Sequence, residues 1–277
     1  MTYAMLVIQS VRIGMDAMSE DKPGLTLRLG DGTSLSMCWI PRGEFRMGSR
    51  GKFPHEEPAH RVRITRAFYL GTYPVTQAQY ALCDPGHKND FHGEDERPVD
   101  SVSWDAAHRF CEWLQARCAE QLEREGLSGH RFDLPSEAQW EYACRAGGEG
   151  EYHSGDGEAA LAEVGWFDGN SQRTTWPVGQ KRANAFGLYD MHGNVWEWCR
   201  DAWDADAYRK RVDGVCDPEV TARMVGGEDP GRVVRGGGWG DTAAHCRAAD
   251  RVSGRPSLRG RYLGFRVGLF PGPSSAG

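Results

Sequence analysis

No stretch of the chain is apolar over the roughly 20 residues of a membrane-spanning helix. The start, Met1-Thr2-Tyr3-Ala4-Met5-Leu6-Val7-Ile8, lacks the basic leader and the length of a secretory signal, so no signal peptide and a cytoplasmic location are expected. There is no β-α-β alternation and no Gly-x-Gly-x-x-Gly turn, which argues against a nucleotide-binding sheet. Internal repeats and low-complexity blocks are also missing. Positive charge is not in excess: 33 Lys and Arg against 39 Asp and Glu leave a net charge of −6, a poor balance for binding nucleic acid or an anionic membrane. Eight cysteines are present, but none forms a C-x-x-C pair, and their spacings follow no zinc or disulfide framework. Cys111 and Cys144 lie in apolar helical settings and read as reduced thiols packed as small hydrophobes, which fits a reducing compartment.

What the chain has in plenty is glycine, 36 of 277 residues, and tryptophan, 10 residues. Ordinary glycine usage is about 7%. Glycine serves where φ is positive or backbones crowd, so little regular structure and long, packed loops are expected, with indoles filling the gaps. Residues 1–26 read as a loosely attached leader, 27–270 as one α+β domain and 271–277 as a disordered tail. Strands are expected at Ser34–Ile40, Phe45–Met47, His60–Leu70, Val233–Arg235 and Gly264–Leu269. One helix is expected over Ser103–Glu125, capped by Ser103. A second begins at Pro135-Ser136-Glu137-Ala138-Gln139, where Ser136 and Gln139 form a capping box, and Gly147 closes it. Residues 147–235 read as ordered functional loop.

Three motifs bear on chemistry. His55-Glu56-Glu57-Pro58-Ala59-His60 is not a zinc-protease pair: the histidines are five apart and Pro58 breaks any helix between them, so a turn entering a strand is expected. Asp190-Met191-His192-Gly193-Asn194-Val195-Trp196-Glu197-Trp198 could offer a hard cation the side chains of Asp190 and Glu197 with main-chain oxygens of Gly193 and Val195; the alternative is a turn with core tryptophans. Arg235-Gly236-Gly237-Gly238-Trp239 marks close packing after a strand and lacks the Lys-Ser/Thr of a phosphate cradle.

Seven blocks in order carry a resemblance: Gly43–Gly48, Phe68–Thr76, Arg97–Trp104, Leu134–Glu141, Gly193–Trp198, Arg235–Trp239 and Gly264–Arg266. Together they closely resemble the formylglycine-generating-enzyme, or sulfatase-modifying-factor, family from about residue 34 to 270. The resemblance implies a C-type-lectin-like fold, and structural calcium at Asp190, Gly193, Val195 and Glu197. In the family's oxidases, copper(I) sits between two cysteine thiolates spaced C-x4-C. Counted from Gly236, the second position falls on Cys246 and the first on Asp241, a hard ligand that cannot complete a linear dithiolate site; counted back from Gly264-Phe265-Arg266 the register differs, and in either register one cysteine is missing. Copper and oxidase activity are therefore not expected, and Cys246 is a catalytic candidate only if that alternative holds.

A second group with this fold, the variable proteins of diversity-generating retroelements, resembles the chain better. Their diversified residues lie near the C-terminus on the ligand face. The framework Cys246, Arg247, Arg251, Pro256, Arg259 and Leu263 is kept, and the filler positions hold a mixture of residue types encodable by codons ending in a pyrimidine. The resemblance implies a ligand- or protein-binding surface at Gly240, Asp241, Thr242, His245, Asp250, Val252, Ser253, Gly254, Arg255, Ser257, Leu258, Gly260, Arg261 and Tyr262. These should be exposed on one patch, with Trp239, Arg247, Arg251, Arg259 and Phe265 beneath or beside it. The alternatives are ordinary drift in a loop of a non-catalytic, partner-binding family member, and the oxidase. A monomer is expected.

Overall fold

The computed structural model describes residues 22–227 and 229–272. Most of the expected leader and tail lies outside them. The domain begins earlier than expected: Leu25–Gly30 is a strand, its leucines 25, 27 and 29 buried in alternation with exposed Thr26 and Arg28. It pairs antiparallel with Thr33–Ile40 across a turn in which Asp31 and Gly32 both take positive φ, the backbone that an Asp-Gly hairpin turn demands.

These two strands open a five-stranded sheet, followed by Phe68–Gly71, Gly268–Pro271 and His130–Asp133. The late strand Gly268–Pro271 sits between two earlier ones and is antiparallel to both. A four-stranded sheet runs Arg251–Gly254, Arg232–Arg235, Trp196–Ala202, Leu263–Gly264, the last pair being parallel. A three-stranded sheet (Val215–Cys216, His60–Ile64, Gly43–Met47) and a two-stranded one (Gly165–Trp166, His192–Gly193) complete the strands. The expected single strand His60–Leu70 is therefore two strands in different sheets, turning where Asp217 accepts from the Thr65 amide at 2.9 Å. Gly264–Leu269 likewise splits into two.

The expected long helix also divides, into Trp104–Arg117 and Ala119–Arg124. Ser103 caps the first by accepting from the Ala106 amide. The bend at fully buried Cys118 lets Cys118 and Leu122 reach the same core as Phe110 and Leu114. Helix Glu137–Arg145 shows both bonds of the Ser136–Gln139 capping box, and ends with Ala146 in the left-handed region, followed by Gly147 at φ +88°. Its face of Ala138, Trp140 and Ala143 packs into a second core with Met47, Val62 and Tyr208. Residues 147–235 are loop-rich but include the helix Gly157–Val164 and the seven-residue strand Trp196–Ala202. No described helix is long and apolar enough to cross a membrane.

Candidate functional site

The C-terminal segment is fastened to this scaffold by buried ion pairs. Arg247 forks onto Glu56 at 2.6 and 2.9 Å. Arg251 forks onto Glu137 at 2.6 and 3.0 Å. Arg266 forks onto Glu197 at 2.6 and 2.7 Å, and Arg235 reaches Glu141. The helix Glu137–Arg145 thus presents Glu137 and Glu141, one turn apart, to arginines of the four-stranded sheet. Burial alone would raise the Glu137 carboxyl, but the charges of Arg251 and Arg235 hold it at about 2. Breaking such a pair from one side leaves a buried charge and costs roughly 3–5 kcal/mol.

Over this frame the fourteen expected surface residues fall into three groups. Gly240, Thr242, Ser253, Arg255, Ser257, Leu258, Arg261 and Tyr262 are exposed. Asp241, His245, Val252 and Gly260 are half-buried. Asp250 and Gly254 are buried, against the expected exposure. Gly254 lies under the Trp198 ring, which stands 2.5 Å from where a Cβ would be. Asp250 faces inward toward His55 and His245. Trp239, Arg247, Arg251 and Phe265 are buried as expected, whereas Arg259 is exposed; the buried ion pairs are made by its neighbours instead. Asp241 and Tyr262 gather at Gly238, and the Arg261 guanidinium lies 5.1 Å from the centre of the Trp239 ring. His245 belongs to a different cluster, stacked on Phe53.

Cys246 is fully buried, its sulfur 2.6 Å from where a Cβ on Gly237 would stand. Burial pushes its thiol well up, and the charges of Asp241 and Asp250 add to that. All eight cysteines are free thiols. Asp241 is engaged elsewhere: one carboxylate oxygen accepts from Trp196 Nε1 at 2.7 Å and from the Gly238 amide at 2.9 Å.

In the 190–197 loop, Asp190 and Asn194 take positive φ. Asp190 accepts from the Gly179 amide at 2.7 Å and from Asn194 Nδ2 at 3.3 Å. Burial first, and Glu197 among the smaller causes, raise its carboxyl to about 6. Glu197 meets Arg266 with both oxygens and also accepts from Trp140 Nε1 at 2.7 Å.

A sulfatase-modifying factor enzyme 1-like domain model matches residues 30–268, which is nearly the whole described chain. The chain belongs to the formylglycine-generating-enzyme, or sulfatase-modifying-factor, family. It is 31% identical to the formylglycine-generating enzyme of Mycobacterium tuberculosis, with 84% of this chain and 97% of that protein covered. It is 29% identical to the serine/threonine-protein kinase pkn1 of Chlamydia caviae over 83% of this chain. It spans only 37% of that kinase's length. Among solved structures it is similar to Treponema denticola variable protein 1, with a TM-score of 0.78, 27% identity, and 90% and 100% of the two chains covered. PvdO from Pseudomonas aeruginosa is similar at a TM-score of 0.71 and 26% identity, over 90% and 99% of the chains. The fold is C-type-lectin-like.

Within the family's terms, the copper position does not fit. A dithiolate site needs two converging sulfurs, and here one place is an aspartate already bonded to an indole and a backbone amide. The calcium donor set is all oxygen, as a hard cation requires. Arg266 pairs with Glu197 and also donates to the Asp190 main-chain oxygen at 3.3 Å, whereas the Asp190 carboxylate itself is met by the Gly179 amide and Asn194 Nδ2. The histidine motif offered no helical pair, and the fold agrees: His55 lies within the short 3-10 turn Pro54–Glu56 while His60 begins a strand. The clustering of His55 with Asp250 and His245, across 195 and 190 residues, carried no local sequence signal.

Proposed function

We propose that the protein is a non-catalytic binding member of the family whose segment 240–262 forms a diversified ligand surface, as the name of the similar Treponema denticola protein suggests for that structure. The observation that carries the reading is the pairing of a buried arginine frame with exposed filler. Arg247, Arg251 and Arg266 fix the segment from below, while Ser253, Arg255, Ser257, Leu258, Arg261 and Tyr262, between Arg251 and Arg266, reach solvent and are free to change without unpairing the frame. Tyr262 and Arg261 are the anchors this reading favours, since aromatic and guanidinium groups dominate interface hot spots. The ligand is a protein or another molecule met at this face. The engaged state of Asp241 speaks against the oxidase alternative.

The test is genetic. A template copy of codons 240–262, differing from this gene at adenines and lying beside a reverse-transcriptase gene, is expected. Sequences from independent isolates should then differ at the filler codons and keep those of Arg247, Arg251 and Arg266. Differences spread evenly over the domain would instead make this an ordinary loop of a partner-binding relative.

Calcium at the 190–197 loop belongs to the same proposal as a structural ion. Asp190 and the carbonyls of Gly193 and Val195 would hold it, with Glu197 shared between the ion and Arg266. Its contribution would be charge compensation for Asp190 and fixation of the loop that leads into strand Trp196–Ala202.

A further inference from the structure

His55, Glu56 and Asp250 each bring a metal-ligating atom to one point, all within 4.8 Å of one another. His55 Nε2 stands 3.6 Å from Asp250 Oδ1, too far for a hydrogen bond. Both atoms are buried and have no hydrogen-bond partner. The Asp250 side chain is 1% exposed, so its orphan oxygen points into a space that protein groups do not satisfy. Its other oxygen meets His245 Nδ1 at 3.0 Å. Phe53 lies nearly parallel to both imidazoles, at 10° to His55 and 5° to His245, and Trp203 flanks His55. These rings hold the imidazoles in place. The His55 and His245 side chains remain 31% and 43% exposed, which leaves a way in from solvent.

The charges do not balance. Glu56 is paired with the fork of Arg247, whereas the Asp250 carboxylate is bonded by no guanidinium or ammonium group and has an imidazole beside each oxygen. A buried carboxylate without a counter-charge is costly, and a bound cation relieves the cost.

We propose that this cluster binds one divalent transition-metal ion of the zinc class. His55 Nε2, Asp250 Oδ1 and a Glu56 oxygen are the ligands, and water fills the open side. His245 is a positioning residue: its hydrogen bond to the second Asp250 oxygen aims the first at the metal. An imidazole among the donors selects zinc-like ions over calcium, which takes oxygen alone. The site stands apart from the 190–197 loop and does not depend on segment 240–262 being diversified, although two of its residues lie there.

The test uses the full chain, stripped of metal and titrated with Zn(II) against a chromogenic chelator. Co(II) serves as the spectroscopic substitute. One tight equivalent is expected, with cobalt bands of nitrogen and oxygen ligation and no competition from calcium. His55→Ala and Asp250→Asn should each weaken binding by at least about tenfold. His55 is partly exposed and its ring nitrogens carry no structural bond, so His55→Ala folds and decides the matter alone if Asp250→Asn does not. Affinity unchanged in His55→Ala, an absence of any tight equivalent, cobalt bands showing thiolate ligation, or displacement by calcium would each overturn the assignment.

Discussion

Trp196 Nε1 donates to Asp241 at 2.7 Å, and the same carboxylate oxygen receives the Gly238 amide. Asp241, which the count from Gly236 sets at the first copper-thiolate position of the oxidases, is thus a structural acceptor, tying strand Trp196–Ala202 to the glycine turn. Protein supplied with Cu(I), oxygen and a sulfatase-type cysteine peptide should make no formylglycine. Turnover that disappears in Cys246→Ser would remove the binding-protein reading. Asp241→Ala should cost about 1–3 kcal/mol by leaving the indole N–H and the amide unpaired, whereas Asp241→Asn, which keeps an acceptor, should cost less.

Replacing Thr242, Ser253, Arg255, Ser257, Leu258, Arg261 and Tyr262 together should change stability little, since exposed substitutions each stay within about 0.5 kcal/mol. Gly254→Ala should cost roughly 1–3 kcal/mol, because the new methyl meets the Trp198 ring. Phe265→Ala, at a fully buried site, should cost on the order of 3–5 kcal/mol. Chemical denaturation of the three proteins separates surface from frame. A large loss in the sevenfold variant would show those side chains to be structural.

Some of this layout was legible in the sequence and some was not. The Ser136–Gln139 capping box and the Ser103 cap were, because a cap is written in four adjacent residues. Strand Leu25–Gly30 was missed although its alternation and the Asp31-Gly32 turn were present; the polar run before it drew the boundary two residues too late. The break at Cys118 had no proline or glycine to mark it. In the site, the buried arginines 247 and 251 were expected, but their acidic partners lie 191 and 114 residues away, and no local pattern names them. Asp250 is buried rather than exposed because it turns inward against His55 and His245, and His55, 195 residues away, leaves no mark on the local sequence.

Chelation of calcium should lower the melting temperature if the 190–197 loop is occupied, since a ligand bound only by the native state stabilises it by mass action. The informative variant is Asp190→Asn, which should abolish that sensitivity. Glu197→Ala would not discriminate, because it strands the buried Arg266 whatever the metal does. Equal melting with and without chelator would leave Asp190 as a turn residue.

Acid stability should depend on His192. This ring is buried and neutral: burial, and next the neighbouring His153, push its pKa down to about 3, while the Cys246 carbonyl lies 2.8 Å from Nδ1. A histidine lowered on folding contributes stability that is present above about pH 6.5 and is lost as pH falls through about 3. Asp201 acts oppositely. Burial and then Glu137 raise it to about 7, so its contribution is full below about pH 4 and lost as pH rises through 7. The difference between wild type and His192→Gln isolates the first effect. The glutamine variant should gain relative to wild type as pH falls from 6.5 to 3, by on the order of 4 kcal/mol at the acid end. A constant difference across that range would show that His192 is not the acid-sensitive group.

The position of strand Gly268–Pro271 between Phe68–Gly71 and His130–Asp133 has a consequence for how the protein is made. The first sheet stays split until its last-synthesised member arrives, so the ribosome must finish the domain before it can close. A message carrying a premature stop anywhere in 240–262 yields a chain with an open sheet edge, the kind of species that aggregates or is degraded. Completion of the sheet is therefore tied to translation past segment 240–262, since the strand that joins its two halves follows that segment in the chain.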